Sequence, residues 1–268
     1  MLLLLKIIVS AGMVLTITFI AERASTRLAG VLLGFPLGAG LSILFFGIEQ
    51  GALFAAESAL WGIPGLLSTL VFALMYLVGV QSLTQKKSLH IICCALLGIA
   101  GFFAATFIIY LVMPKNSWLN IPITLIGVFG FALFFRKLPV NNVSHKIPVT
   151  PLILGIRAGI SSLVILLITG VAQLIGPQWS GLFSIFPVTL LPVIVILHHH
   201  YGADTVLALL RELPFGLLAI VVFDFSVANS FPLLGVGGGI VVSYGIAFLY
   251  LLFYEMKARK ALARWLSP

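Results

Sequence analysis

Between Lys87 and Lys115, and again between Asp224 and Glu255, the chain carries no Asp, Glu, Lys or Arg. Runs of this kind recur along its length, and each is long enough for the roughly 20 helical residues that cross a hydrocarbon core of about 30 Å. Lipid offers no partner to backbone N–H and C=O groups, so such segments must satisfy them internally, as helices or as a closed barrel. Barrel strands alternate polar and apolar positions, and these runs do not alternate. A bundle of membrane helices remains. Composition agrees, with 61% of residues hydrophobic and 8% charged. No polar stretch exceeds about a dozen residues, too few for a domain outside the bilayer.

At about 20 apolar residues per crossing, spans are expected at 2–21, 28–48, 60–83, 89–112, 118–135, 150–173, 180–199, 205–229 and 233–255, about nine in all. Residues 52–60 carry Glu57 ahead of Pro64 and Gly65, so they read either as part of the third span or as a surface or re-entrant piece. Residues 204–213 pose the same choice. Met1–Phe19 lacks the basic leading region and the small-residue cleavage site of a signal peptide, and is read as the first membrane helix.

The chain also repeats itself. Lys6–Phe72 aligns without a gap on Arg157–Phe223, 151 residues later, with 16 of 67 positions identical, among them Gly30/Gly181, Phe35/Phe186, Pro36/Pro187, Gly51/Gly202 and Gly65/Gly216. An internal repeat implies two copies of one unit packed together. The expected domains are residues 1–113 as the first four-helix repeat, 114–147 as a linker helix and cytoplasmic loop, 148–256 as the second four-helix repeat, and 257–268 as a basic cytoplasmic tail.

Charge gives the two copies a direction. Arg23 and Arg27 follow span 1, Lys86 and Lys87 span 3, and Arg136, Lys137 and Lys146 span 5. Arg211 lies on the side where span 7 ends, and Lys257, Arg259, Lys260 and Arg264 follow span 9. The other loops hold only Lys115 and Glu49. The positive-inside bias then places the N-terminus outside and the C-terminus in the cytoplasm. With span 5 as an unpaired crossing, the copies run antiparallel, so the predicted fold is an all-α polytopic membrane protein with a 4+1+4 inverted-topology repeat. The net charge of +8 is accounted for by these flanks and by anionic lipid, with no nucleic-acid partner required.

The stretch kept best by both copies is Gly-x4-Phe-Pro: Gly30 to Phe35-Pro36, and Gly181 to Phe186-Pro187. Together with Arg157 and the turn Tyr201-Gly202-Ala203, the second copy resembles the GlpM family of small bacterial inner-membrane proteins, from Pro151 to about Leu251 and more faintly over 3–112. The chain departs from that single-unit form by carrying two copies. The resemblance implies a bacterial cytoplasmic membrane and a loose association with glycerol metabolism. It supplies neither catalytic residue nor substrate.

Each conserved-by-repeat Pro lies about eight residues into its span, about 12 Å deep at 1.5 Å per residue, so both approach the midplane from opposite faces. A Pro there removes a hydrogen bond and clashes with the carbonyl four residues back, freeing polar backbone groups. In inverted-repeat carriers such paired breaks line the substrate site; otherwise they are kinks satisfied by neighbouring helices. The candidate substrate-binding residues are Phe35, Pro36, Phe186, Pro187, Ser184 and Thr189. Lys6 and Arg157, repeat mates a turn inside their spans, are candidates for attracting an anion, or else snorkel to the interface. Glu57 and Asp224 are candidates for proton coupling. They are not repeat mates, and residues at a span end would look the same.

His198, His199 and His200 fan out by about 100° each, which suits a headgroup anchor better than metal ligation at i, i+3 or i+4. Arg211 and Glu212 read as an interfacial pair or a cytoplasmic gate, and Cys93 and Cys94 as small hydrophobes. No nucleotide loop, H-E-x-x-H helix or nucleophile elbow occurs, so neither enzymatic activity nor any cofactor or metal is expected. The leading expectation is an alternating-access carrier for a small polar or anionic solute, coupled to protons. The alternatives are a non-transporting accessory membrane subunit of an envelope or polysaccharide pathway, or a lipid flippase; the partners expected are the lipid bilayer and a small-molecule solute, with a homo-oligomer or an envelope-pathway partner as the further options.

Overall fold

A computed structural model describes residue 4 and residues 6–13, 35–83, 86–138, 151–254 and 256; the side chains of 151–153, 156 and 157 are outside that description. Arg23, Arg27, Gly30, residues 139–150 of the expected cytoplasmic loop and the basic tail therefore lie outside the described residues, as does the Arg157 side chain.

Among the described residues the regular structure is helical, with no strand. Residues 6–13 form one helical piece. The named helices are α1 (Leu37–Gln50), α2 (Ala52–Ser82), α3 (Lys87–Val112), α4 (Asn120–Arg136, entered through the 3-10 turn Ser117–Leu119), α5 (Pro151–Ser184), α6 (Leu190–Tyr201) and α7 (Ala203–Phe253). Five segments are long and apolar enough to cross a membrane: Ala52–Ser82, Lys87–Val112, Ser117–Arg136, Ala158–Ser184 and Ala203–Phe253. Helices α1 and α6 are shorter and apolar.

Two of these helices are hairpins. Helix α7 has 51 residues, which in a straight rod would run roughly 76 Å. Gly235 breaks it, at φ 69° and ψ 179°. The chain folds back there: Ser230 donates to the Gly239 carbonyl at 3.2 Å and its hydroxyl lies 3.1 Å from that of Ser243. Gly176, at φ 76°, does the same in α5, where Ser180 reaches the Ala172 carbonyl at 3.3 Å. Residues eight apart would be about 12 Å apart in an unbroken helix. Both reversals use a glycine in a conformation costly to other residues, and both fall at expected span boundaries, 173–180 and 229–233.

The expected span 180–199 is not one helix. It ends at Ser184 and restarts at Leu190, because Pro187 can neither donate nor tolerate the carbonyl four residues before it. In contrast, 52–60 joins the helix that follows it: α2 runs continuously from Ala52 through Pro64 to Ser82. Likewise 204–213 is the first part of α7.

Helix α2 is the hub, packing on α1, α3, α4, α5 and α7. Its most apolar window is 67% buried, against 28% for α3 and for the segment containing α4. Helices α3 and α4 instead present Ile92, Leu96, Phe103, Phe107, Ile126 and Phe129 outward, the apolar exterior that contact with lipid tails calls for. Close approach at the hub depends on small residues. A Cβ on Gly98 would lie 2.9 Å from the Phe72 ring, and one on Gly181 would run into the Ser58 carbonyl. Cys94 is buried against Gly79, and Cys93 is half-buried.

Candidate functional site

The two Phe-Pro breaks adopt one local structure. Leu37 donates its backbone N–H to the Phe35 carbonyl at 2.7 Å, and Val188 donates to Phe186 at 2.6 Å. Gly40 then donates to Pro36, and Leu191 to Pro187, each at 2.9 Å. All four bonds correspond at the 151-residue spacing. The tight two-residue closure is a γ-turn pattern, in keeping with Pro36 at φ −74° and ψ 60°. Each turn opens a helix, α1 or α6, and each helix ends on a glycine at the same spacing. Gly51 has φ 96° and donates to the Gly47 carbonyl; Gly202 has φ 84° and donates to His198.

Both breaks wall a single cavity of about 90 Å³. Phe35, Pro36, Ser184, Phe186, Pro187 and Thr189, the six residues singled out from sequence, all line it. Thr69 of α2 closes another side, and one face of α7 completes it, with Glu212, Gly216 and Ile220 at helical spacing. Glu212 is the charged residue in the described lining.

Polar groups freed by the breaks are partly satisfied. Thr69 donates its hydroxyl to the Ile185 carbonyl at 2.8 Å, and Ser184 donates to Gly181 at 2.7 Å. The backbone N–H groups of Gly38 and Ala39, and of their counterparts Thr189 and Leu190, find no acceptor among the described residues. All four residues line the cavity. They belong to the first turns of α1 and α6, where unpaired amides and the positive end of the helix dipole favour negative charge.

The two rings are held differently. Phe35 stacks on Tyr244, with centroids 5.3 Å apart and planes at 15°, and Tyr244 also packs on Phe223 at 4.8 Å. Phe186 meets Phe102 edge-on at 5.1 Å. The Tyr244 hydroxyl lies 3.5 Å from the Pro36 carbonyl oxygen, and only glycine at position 40 leaves room for it.

The other candidates lie elsewhere. Lys6 neither snorkels nor stands free: its buried ammonium donates to Glu49 at 2.8 Å and to Thr169 Oγ1 at 2.7 Å. Glu57 is exposed on α2, whereas Asp224 is fully buried in α7, and neither of its oxygens has a hydrogen-bond partner among the described residues. The expected histidine anchor divides. His199 and His200 are exposed, but His198 points inward, its Nδ1 lying 3.0 Å from the Tyr76 hydroxyl and its ring 5.3 Å from that of His90. Among the described residues no three His, Cys, Asp or Glu are grouped to hold a metal ion.

Thr69 and Tyr244 extend the site beyond the residues selected from sequence, and Glu212, read there as half of an interfacial pair or a cytoplasmic gate, lines the cavity. Thr69 aligns with Ile220 and carries no motif. Tyr244 lies beyond the aligned repeat altogether, and Glu212 resembles an ordinary interfacial acid. The geometry defines a helical protein with apolar helices of membrane-crossing length and a small cavity between two helix breaks. Family models, curated proteins and solved structures were each compared with the chain, and none matches it.

Proposed function

We propose that the protein is a multi-pass carrier of the bacterial inner membrane that moves a small polar or anionic solute by alternating access. One observation carries the reading: two Phe-Pro breaks, 151 residues apart in sequence, wall the same cavity with the same turn. Paired broken helices at a repeat interface are the arrangement through which carriers expose a site to each side in turn. In this reading the repeats are inverted, nine spans place the N-terminus outside and the C-terminus in the cytoplasm, and the GlpM-like unit is one half of the carrier.

The solute class follows from the lining. The amides of Gly38, Ala39, Thr189 and Leu190, unpaired among the described residues, suit an oxyanion or carboxylate, and the aromatic and aliphatic remainder limits its polarity. The cavity measures only about 90 Å³, so the occupant is small. The Glu212 carboxyl on the lining disfavours a multiply charged anion beside it.

The test is flux into proteoliposomes of the purified protein, using labelled formate, acetate and phosphate with and without a pH gradient. Saturable uptake that Pro36→Ala with Pro187→Ala removes is the expected result. Absence of flux for every solute, together with a stable stoichiometric partner in mild detergent, would replace the carrier by the accessory-subunit reading. Movement of a fluorescent lipid between leaflets would replace it by the flippase.

A further inference from the structure

Asp224 is the most anomalous group in the described residues. Its side chain is completely buried, yet both carboxyl oxygens lack a hydrogen-bond partner, whereas buried carboxylates are ordinarily paired or hydrogen-bonded. The packing around it is fitted to its shape. Gly62 of α2 faces it so closely that a Cβ there would lie 2.6 Å from Asp224 Oδ2. The same Cβ would lie 3.3 Å from Ile185, which lines the cavity.

The carboxyl also continues the cavity wall. Glu212, Gly216 and Ile220 line the cavity, and Asp224 is the next residue in that row at four-residue spacing, hence on the same helix face. Glu212 and Asp224 are about 18 Å apart along the axis. The cavity occupies the interval, and Ile185 and Ile220 stand between it and the buried acid.

We infer that Asp224 is a reversible proton-binding site in the membrane interior, reached from the cavity along the Glu212–Asp224 face of α7, with Gly62 as its positioning residue. Among the described residues this buried carboxylate has no compensating charge. Helix α2 offers it Gly62, and its own acid Glu57 is exposed. The Lys6–Glu49 pair, between residues 6–13 and α1, is already internally neutralised. From the last part of α7 the titratable neighbour is Tyr244, whose ring packs on Phe223, the residue before Asp224, at 4.8 Å. Exchange then requires the seam between α2 and α7 to admit water, and small residues there make that opening less disruptive than a large interlocked contact would. As the coupling group of the carrier, Asp224 rests on the function proposed above; as a proton site, it stands without it.

The experiment separates the two. Full-length protein in proteoliposomes is treated across a pH series with the hydrophobic reagent dicyclohexylcarbodiimide, which modifies protonated carboxyls in apolar surroundings, and adducts are located by mass spectrometry. Modification at Asp224 that falls as pH rises, is lost in Asp224→Asn and shifts in pH profile in Gly62→Ala is expected. Infrared difference spectra over the same series guard against poor reagent access, by showing a protonated-carboxyl band that disappears in Asp224→Asn and returns in Asp224→Glu. A pH-independent spectrum with no Asp224 adduct would overturn the inference. Proton-site signals without solute flux would leave Asp224 in place and remove the carrier; flux whose pH-gradient dependence survives Asp224→Asn would remove Asp224 as its coupling group.

Discussion

Thr69 donates its hydroxyl to the carbonyl of Ile185 across 2.8 Å, a bond from the middle of the hub helix to the end of α5 where the chain leaves the helix. The break at Phe186-Pro187 is thus completed by a residue 116 positions away. Thr69→Val keeps the shape and removes the donor. A buried carbonyl left unpaired costs about 1–3 kcal/mol, so thermal unfolding in detergent should move down for Thr69→Val and stay close to wild type for Thr69→Ser.

Gly181 sets the distance between α5 and α2. A Cβ there would enter the Ser58 carbonyl, which is backbone and has no rotamer to change. Gly181→Ala should destabilise by about 1–3 kcal/mol or more, the usual cost of overpacking. Gly170→Ala, at a position with nothing within 4 Å, should be neutral or slightly stabilising, because it restricts the unfolded chain. Paired melting curves of the two variants check this.

Gly51 and Gly202 are expected to respond alike. Both hold φ in the left-handed range, 96° and 84°, where a Cβ is strained by about 1–2 kcal/mol. Gly51→Ala and Gly202→Ala should each lower stability, although neither site is crowded. Unequal effects above about 1 kcal/mol would show that the two turns carry different loads. Denaturation of the two single variants provides the comparison.

Lys6, which is buried, and Glu49, which is half-buried, form an ion pair at 2.7 Å, flanked by Thr169 and the Phe45 ring. Removing one partner leaves a charge wholly or partly shielded from water, at a cost approaching about 3 kcal/mol. Lys6→Met and Glu49→Gln should therefore both be strongly destabilising, and the double variant much less so than their sum. A double-mutant cycle measures the coupling. If solute uptake survives in the double variant, Lys6 holds the helices together and does not recruit the anion.

Sidedness is open to direct measurement. In a background with Cys93 and Cys94 replaced, single cysteines at Lys86 and at Lys115 should react with an impermeant maleimide from opposite sides of the membrane, the first from the cytoplasm. Reaction of both from one side would remove the nine-span orientation.

Much of the local structure was legible beforehand because it follows from strictly local rules. Proline has no N–H wherever it sits, and so the interruptions at Pro36 and Pro187 were readable. The same rule misleads at Pro64, which α2 accommodates without stopping, since neighbouring helices decide whether a proline breaks a helix or only bends it. A similar gap leaves Lys6 between anion attraction and the interface and sets His198 among the headgroups: position along a span gives depth, but not the direction in which a side chain faces.

The sequence alone determined that the chain is helical, that its helices are apolar enough for lipid, and that two Phe-Pro turns and two glycine turns recur 151 residues apart. These follow from backbone hydrogen bonding in an apolar solvent and from the stereochemistry of single residues. Tertiary structure decided that the two turns share one cavity, that Thr69 and Tyr244 support it, that Glu49 neutralises Lys6, and that Asp224 is buried against Gly62. Those facts depend on how each helix is rotated about its axis. In a protein whose interior and exterior are both apolar, hydropathy carries almost no record of that rotation, and it is set by small residues and polar contacts between helices.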